Sequence, residues 1–536
     1  MAQAARPAPA PRRQPSRLTL QADALSSNAP ERRTAKDEAT VKFIKRVLCA
    51  KPAKPAQDET AAPEVDGNLE DLLPRLTSRS DIDLQLYAIL AIVLSQFVQS
   101  WYNRITPDAD FVGEVVQIVA HCTRGLEQRL KLVDLDSLLL DELPGLLDAH
   151  LQAVDVAMRS SHVPYGNSIA AVYQTLRPHN ALLPLLVDEA SILSQHNNEV
   201  DWSQLFVDSI LPLLLPPEDL VNPCLDVVVA EIFSGIIVRN AVMGRACQPW
   251  LLWEGCTKAI YALKPKPPSE AESVSSSLSK LEQSGLLSSS EAVRHDTSRQ
   301  RSHIAQTTIS ATWAILRYIV LSWTFLRVFL LALMQACSLP FRSRRVMQAK
   351  GSSDKLVKAA AGLDSVPRPM IGMRIWCCIG RLTSLRKRMP WLTGCLSLAQ
   401  HLSITTGVCG TNSAIDRMMS AHIHERLIRP ALLPPILQAI RSAVFPGNVL
   451  GPARQSPSQT ETVEIKRECA RAIVDVLPHT ARTLYFATQD MALMQADVES
   501  TLDLFADAYL NKNLIVAALE LLVVRLFPET AETGES

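Results

Sequence analysis

The chain has 536 residues, of which 47% are hydrophobic, 20% are charged and 19 are glycine. Its 54 lysines and arginines balance 54 aspartates and glutamates, so the chain has no net positive charge with which to recruit nucleic acid. Scarce glycine and long Leu-, Ala- and Val-rich segments predict an all-α protein and leave little material for glycine-rich phosphate-binding loops.

The N-terminal segment, residues 1–67, is rich in proline, alanine and charge and is predicted to be a disordered basic tail. Its first 22 residues contain four arginines and no acid, as a mitochondrial presequence does. Four prolines among them, between Pro7 and Pro15, prevent the amphipathic helix that such a presequence needs. A disordered tail is therefore the preferred interpretation.

Residues 68–263 show strong helical periodicity and are predicted to form a first helical domain. One segment has an apolar stripe at three- and four-residue steps, formed by Ile82, Leu86, Ile89, Leu90, Val93, Phe97 and Trp101. Two acidic pairs further along are interpreted as solvated helix ends: Asp134 with Asp136, and Asp141 with Glu142.

The stretch "ILPLLLPPEDLVNP" at residues 210–223 predicts a rigid joint between two apolar helices. Pro216 and Pro217 end the first helix, because proline cannot donate the helical hydrogen bond and restricts the residue before it. Asn222 followed by Pro223 is a typical helix start, an N-cap with proline at the first helical position.

Three further segments complete the predicted domain organisation, besides the helix discussed next. Residues 264–303 and 351–369 are predicted to be linkers, the first of them rich in serine. Residues 370–528 are predicted to form a second helical domain, in which helices resume at Val463 after a Gly- and Pro-containing interruption.

The segment 304–350 is predicted to be an apolar, membrane-facing helix followed by a basic run. Residues 310–339 are long enough to span a bilayer, but Arg317 and Arg327 lie inside this stretch. Arg317 belongs to a narrow polar stripe on an otherwise apolar helix. An interfacial or cavity-lining helix, a buried helix and a transmembrane span are therefore all considered.

The residues predicted to contact the membrane surface are Arg317, Trp323, Arg327, Arg342, Arg344 and Arg345. The arginines at 342–345 suit anionic lipids of a cytosolic leaflet.

No arrangement of residues indicates catalysis, and the protein is predicted not to be an enzyme. The sequence lacks nucleophile-elbow, dinucleotide-binding, Walker and zinc-protease motifs. His422 and His424 alternate on a helix, which separates their rings, so they are interpreted as a surface pair and not as metal ligands. The 11 cysteines form no C-x-x-C pair and are interpreted as buried, reduced thiols. No cofactor, metal or nucleic-acid partner is expected.

Several of these segments resemble the PXA (PX-associated) domain joined to a sorting-nexin C-terminal (Nexin C) domain, in the manner of fungal PXA-domain proteins. The PXA resemblance lies in "QFVQSWYNRIT", "EQRLKLVDLDSLLLDELPGLLDAHL" and "LPLLLPPEDL". The Nexin C resemblance lies in "RMPWLTGCLSLAQ", "LPPILQAIRSAVFP" and "LFADAYLNKNLIVAALELLVVRLFPE". No PX domain is recognised. The resemblance implies two helical domains packed together around a channel that accommodates lipid.

The leading functional hypothesis is a lipid-binding or lipid-transfer protein in endosomal or vacuolar trafficking or at organelle contacts. Its expected place is the cytosolic face of endosome, vacuole or endoplasmic reticulum membranes. Its expected partners are membrane lipids, including phosphoinositides, and trafficking proteins. Predicted lipid-contacting residues are Val229, Phe233, Ile237, Val320, Phe325 and Leu330. The alternatives are a trafficking scaffold without a lipid cavity and an integral membrane protein spanning at 310–339.

Overall fold

The computed structural model describes residues 38–49, 69–106, 110–160, 168–185, 188–263, 299–336, 338–339, 368–426, 429–445 and 456–532. Every regular element in these ranges is a helix, which confirms the all-α prediction. Most of the predicted tail, most of both predicted linkers, and the basic run with Arg342, Arg344 and Arg345 lie outside the described residues.

The longer α-helices are numbered here in chain order. They are α1 (Ser80–Val93), α2 (Gln99–Ile105), α3 (Asp110–Leu132), α4 (Leu143–Ser160), α5 (Ile169–Leu176), α6 (Glu189–Leu214), α7 (Pro223–Glu231), α8 (Pro249–Leu263), α9 (Arg299–Ala336), α10 (Ile375–Leu382), α11 (Pro390–Thr405), α12 (Ala414–Arg426), α13 (Leu433–Val444), α14 (Gln459–Val476), α15 (His479–Phe486), α16 (Met491–Leu502) and α17 (Ala508–Leu526).

Short helical turns join these helices. The one-turn α-helices are Leu69–Leu72, Leu135–Ser137, Pro217–Leu220, Leu385–Arg388 and Glu529–Glu532. The π-helical segments are Lys45–Cys49, Leu94–Val98, Leu138–Glu142 and Ile232–Ala246. The 3₁₀ turns are Asn180–Leu182, Met370–Gly372, Pro430–Leu432 and Asp503–Phe505.

The described residues up to Val116 form a first compact unit, and those from Gln117 onwards form a second. In the first unit the deepest face of α1 carries Tyr87, Ala88, Ala91 and Ile92. Among the five stripe residues whose side chains the structure describes, Ile82 is buried and the next four are half-buried, so the predicted stripe lies beside this face.

The predicted end of one apolar helix and start of the next at residues 210–223 are confirmed. Helix α6 continues through Pro212 and ends at Leu214, and a one-turn helix begins at Pro217. The Asn222 side-chain oxygen then accepts hydrogen bonds from the backbone N–H groups of Cys224 and Leu225, at 3.1 and 3.4 Å. The cap satisfies two amide groups at the start of α7 that lack intrahelical partners.

The C-terminal helix α17 lies in the core of the second unit. Leu510 packs with Ala153, Val154, Ala157 and Tyr173 of α4 and α5. One turn and a half further on, Val516 packs with a separate group of buried residues, Leu182, Val207, Val238 and Met243. In each of these two clusters, α17 therefore packs against residues more than 250 positions earlier in the sequence.

Two helices begin earlier than the sequence indicated. Helix α9 begins at Arg299, inside the range predicted as linker. Helix α14 begins at Gln459, because Ser458 and Glu461 form a capping box. The Ser458 hydroxyl accepts from the Glu461 amide at 3.3 Å, and the Glu461 carboxylate accepts from the Ser458 amide at 2.9 Å. The S-x-x-E pattern of a capping box, Ser458 to Glu461, was present in the sequence and was overlooked when the helix was expected to start at Val463.

Candidate membrane-contacting surface

Helix α9 exposes most of its apolar side chains. Its 38 residues extend about 57 Å at 1.5 Å per residue. The segment Ile315–Ala336 has a mean hydropathy of 1.8, yet only 6% of its most apolar 18-residue window is buried. Large apolar side chains that are at least 47% exposed are Trp313, Ile315, Leu316, Tyr318, Ile319, Val320, Leu321, Trp323, Phe325, Leu326, Val328, Leu330, Leu331 and Met334. An apolar surface of this size marks a site of contact with membrane or protein.

The C-terminal end of α9 is packed against the rest of the second unit. This end packs against α12, and Ala336 is fully buried. Just beyond the helix, the Arg417 guanidinium donates to the Leu339 carbonyl at 3.3 Å. The exposed apolar part of α9 therefore extends from a C-terminal end that these contacts hold in place.

The predicted membrane-surface residues of α9 lie where a membrane could reach them. Trp323 is 66% exposed, and the side chains of Arg317 and Arg327 are also exposed. At 100° per residue, Val328 lies on the same side of the helix as Arg317, so exposed apolar groups occur even along the predicted polar stripe. The alternative of an ordinary buried helix is wrong for the described part of the chain.

A second apolar surface lies on α7 and the π-helical segment that continues it. The span Pro223–Ala246 has a mean hydropathy of 1.6, and 22% of its most apolar window is buried. Its inner side holds four buried residues, Ser234, Gly235, Val238 and Met243. Its outer side exposes Val227, Val228, Ile232, Phe233, Ile236 and Ile237. One side of this helix thus packs on the core and the other faces outward.

The six predicted lipid-contacting residues divide between these two surfaces. Phe233 and Ile237 are 46% and 41% exposed, and Val229 is half-buried. On α9 the corresponding residues, each at least half exposed, are Val320, Phe325 and Leu330. The structure therefore places five of the six on open surface, and lipid contact by them stays a prediction.

A cavity of about 520 Å³ lies elsewhere, within the first unit. Its lining mixes apolar and charged residues and includes Val41, Leu73, Pro74, Asp83 and Tyr87. None of the predicted lipid-contacting residues lines it. The apolar surfaces, and not this cavity, are the stronger candidates for contact with a lipid phase.

Three of the four acids interpreted as solvated helix ends make long-range structural contacts, so that prediction was wrong for Asp136, Asp141 and Glu142. Asp134 does cap a helix start, where its carboxylate accepts from the Ser137 amide at 3.3 Å. Asp136 is buried, and its carboxylate accepts a hydrogen bond from the Ser420 hydroxyl at 2.9 Å. Asp141 accepts from the backbone amide of Arg374 at 3.0 Å. Glu142 forms a two-point ion pair with Arg525. Through these contacts, the π-helical segment Leu138–Glu142 and the residues just before it are bound to the C-terminal half of the chain.

The motif residues near the C-terminus make contacts of the same kind. Lys512 pairs with Glu199 at 2.7 Å, and the Asn513 amide donates to the Arg177 carbonyl at 3.2 Å. The Asn511 amide donates to the Cys247 carbonyl, also at 3.2 Å. The polar residues of "LNKN" thus hold α17 against residues 177–247.

A buried polar network lies between α4, α5 and α17. His150 Nδ1 lies 2.8 Å from the Tyr173 hydroxyl, which lies 3.3 Å from Oδ1 of Asn513. Burial, with a smaller effect from Arg177, lowers the pKa of His150 to about 4, and burial raises the pKa of Tyr173 to about 12. Both groups are therefore neutral near pH 7, which suits structural roles.

The described residues contain no group of three or more His, Cys, Asp or Glu side chains that could hold a metal ion. His422 is exposed, whereas His424 lies 2.9 Å from the buried carboxylate of Asp136. The two histidines thus differ in environment, and only one of them fits the interpretation of a surface pair.

Comparison with known proteins bears on residues 79–259, which match the family model of the PXA domain. PXA domain protein 1 of Schizosaccharomyces pombe is 32% identical over 133 residues, which are 24% of this chain and 25% of that protein. Sorting nexin-14 of Danio rerio is 24% identical over 171 residues, which are 32% of this chain and 17% of that protein. The matched region is a minor part of both relatives. No solved structure matches the chain.

The family match covers all three segments on which the PXA resemblance was based, and both relatives support the assignment by name. The joint at residues 210–223 and the contacts of Asp136, Asp141 and Glu142 all lie within the matched range. Residues 79–259 of the chain are a PXA domain.

Proposed function

We propose that this chain is a membrane-associated, lipid-binding protein of intracellular membrane trafficking, and not an enzyme. The observation that carries the proposal is the exposure of Ile315–Ala336, which is apolar enough to enter a membrane and almost unburied. Each large apolar side chain removed from water contributes roughly 1.5–3 kcal/mol. The exposed residues of α9 therefore supply a large driving force for contact with a lipid phase.

An interfacial position of α9 fits its charges better than a transmembrane one. The 22 residues of Ile315–Ala336 cover about 33 Å, close to the hydrocarbon thickness of about 30 Å. In a spanning helix Arg327 would lie near the bilayer centre, at a cost of roughly 2.5–3.5 kcal/mol. A helix lying at the interface leaves Arg317 and Arg327 among the head groups, where their charge is favourable.

The proposed setting rests on the PXA domain and on the relatives' names. A sorting nexin is among the relatives, which supports a role in sorting at the cytosolic face of endosome, vacuole or endoplasmic reticulum membranes. We assign the region 370–528 to a Nexin C-like domain, as fungal PXA-domain proteins have. The contacts of Lys512 and Asn513 with the PXA domain support that assignment. Phosphoinositides are the proposed anionic lipids, and trafficking proteins are the proposed partners.

Vesicle flotation tests the proposal. The purified full-length chain is mixed with phosphatidylcholine vesicles that contain or lack phosphatidylserine or a phosphoinositide, and protein is measured in the floating fraction. We expect the chain to float with neutral vesicles and more strongly with anionic ones. A chain that stays at the bottom with every composition would refute the proposal. Carbonate extraction from cell membranes then separates the two positions of α9, because an interfacial helix is released and a spanning helix is retained.

A variant of Phe233 distinguishes a lipid-carrying protein from a scaffold. Because this side chain is 46% exposed, we expect Phe233→Glu to fold as the unmodified chain does. Native mass spectrometry should show co-purifying lipid on the unmodified chain and less on the variant. Absence of lipid from both chains, together with no transfer between vesicles, favours the scaffold.

A further inference from the structure

Helices α8 and α14 pack side by side and bring two cysteines together. Trp253 of α8 belongs to a buried cluster with Cys469, Ala470 and Leu502. The Lys466 ammonium lies 6.0 Å from the centre of the Trp253 ring. Three residues further along each helix, the thiols of Cys256 and Cys469 form a hydrogen bond with each other. The two sulfur atoms are therefore neighbours, in a contact fixed by the packing of two helices.

The two thiols differ in access to solvent. Cys256 is exposed, whereas Cys469 is fully buried. Thr257, whose hydroxyl donates to the Trp253 carbonyl at 2.8 Å, also hydrogen-bonds Cys469. A solvent-borne reagent can thus reach Cys256, and Cys469 is held behind it.

The hydrogen bond also changes the acidity of both groups. The Cys469 thiol stabilises a Cys256 thiolate and lowers the pKa of Cys256, and the pKa of Cys469 is raised by the same contact and by burial. The thiolate is the nucleophilic form of cysteine. Redox-sensitive cysteines have low pKa values, are accessible, and lie next to a second cysteine that can resolve them.

We propose that Cys256 and Cys469 are a redox-modification site, at which a peroxide converts the two thiols into an intramolecular disulfide. The Cys256 thiolate attacks a peroxide oxygen, the O–O bond breaks, and Cys256 becomes a sulfenic acid. The hydroxide that leaves takes up the proton that the Cys256 thiol released to solvent and becomes water. The Cys469 sulfur then attacks the Cys256 sulfur, the S–O bond breaks, and a second water leaves with the Cys469 proton. The two thiols lose two electrons and two protons, and hydrogen peroxide is reduced to two molecules of water.

The disulfide would tie the end of the PXA domain to the C-terminal half of the chain. Helix α8 carries the last residues of the matched range, and α14 lies far along the sequence. Because a crosslink between distant residues restricts the unfolded chain, the oxidised form should resist thermal unfolding better than the reduced form.

Peptide mapping after peroxide treatment tests the site. The fully reduced, full-length chain is treated with equimolar hydrogen peroxide near neutral pH, alkylated, digested and analysed by mass spectrometry. We expect a peptide pair joined through Cys256 and Cys469, two hydrogens lighter than the separate peptides and reversed by dithiothreitol. Cys256 should be oxidised roughly ten-fold faster than Cys395, which is also exposed but lies on α11.

Two variants complete the test. Cys256→Ser changes an exposed side chain and should leave Cys469 as a free thiol, whereas the matched control Cys395→Ser should form the disulfide as before. Cys469→Ser should leave Cys256 as a sulfenic acid that dimedone traps. A Cys256 that stays reduced, or that ends as sulfinic acid or a glutathione adduct while Cys469 is free, would overturn the proposal.

Discussion

Arg525 forms a two-point ion pair with Glu142, in which its Nε and Nη2 donate to the two carboxylate oxygens at 2.7 and 2.5 Å. Both side chains are mostly shielded from water, at 23% and 14% exposure. A second pair, between Arg129 and Glu529 at 3.0 Å, lies at the same end of α17. Charges from residues 383 and 400 positions apart in sequence therefore meet within one folded unit, in which α17 packs against part of the PXA domain.

Removal of the charge of Glu142 should destabilise this unit. Glu142→Gln leaves the Arg525 guanidinium in a partly buried place without its counter-charge, and we expect a loss of about 2 kcal/mol in the free energy of unfolding. Urea denaturation followed by far-ultraviolet circular dichroism measures it. The matched control is Asp155→Asn, which removes an exposed ion pair with Arg159 and should cost less than about 0.5 kcal/mol. Equal losses for both variants would contradict the role assigned to Glu142.

Stability should decrease in acid because of His150. The imidazole is buried and its pKa in the folded protein is about 4, against 6.5 for an ordinary histidine. Between these values the unfolded chain binds the proton and the folded chain does not. The contribution of neutral His150 to the free energy of unfolding is therefore complete above about pH 6.5. It is lost as the pH falls toward 4, by about 3 kcal/mol in total.

His150→Gln keeps a hydrogen-bonding group for Tyr173 but removes this titration. The difference in melting temperature between the unmodified chain and the variant should shrink as the pH is lowered from 7 toward 4. His422→Gln changes an exposed histidine and should follow the unmodified chain at every pH. A constant difference between His150→Gln and the unmodified chain would show that His150 does not cause the acid sensitivity.

The cap of α7 should contribute measurably to stability. Asn222→Ala removes the oxygen that accepts from two backbone amides, and we expect a loss of about 1 kcal/mol. Asn222→Asp retains such an oxygen and should restore most of that loss. Thermal unfolding of the three chains side by side provides the measurement. An alanine variant as stable as the asparagine chain would mean that the cap is energetically unimportant.

Local sequence patterns predicted the helices and the joint well. Proline and the N-cap residue act within a few residues of themselves, so Pro217 and Asn222 could be interpreted without knowledge of the tertiary fold. The motif segments likewise located the PXA domain. Helix starts such as Gln459 could have been found from the capping box at Ser458.

Contacts between distant segments could not be predicted in this way. Asp136 and Glu142 have the composition of a solvated turn, and only the arrival of Ser420 and Arg525 from the C-terminal half makes them buried partners. The exposure of Phe325 was equally inaccessible, because an apolar pattern indicates a helix face without indicating what covers it. Cys256 and Cys469 become neighbours only through the packing of α8 on α14.

The central claim, that the exposed apolar side chains of α9 bind membranes, is tested most directly by vesicle flotation of Phe325→Glu beside Leu493→Glu. Phe325 is 73% exposed on α9 and Leu493 is 60% exposed on α16, so neither change disturbs the core. Phe325→Glu removes one aromatic side chain from the membrane-contacting surface and adds a charge there. Vesicle binding should therefore weaken at least about ten-fold. Leu493→Glu should float like the unmodified chain. Unchanged flotation of Phe325→Glu would contradict the account.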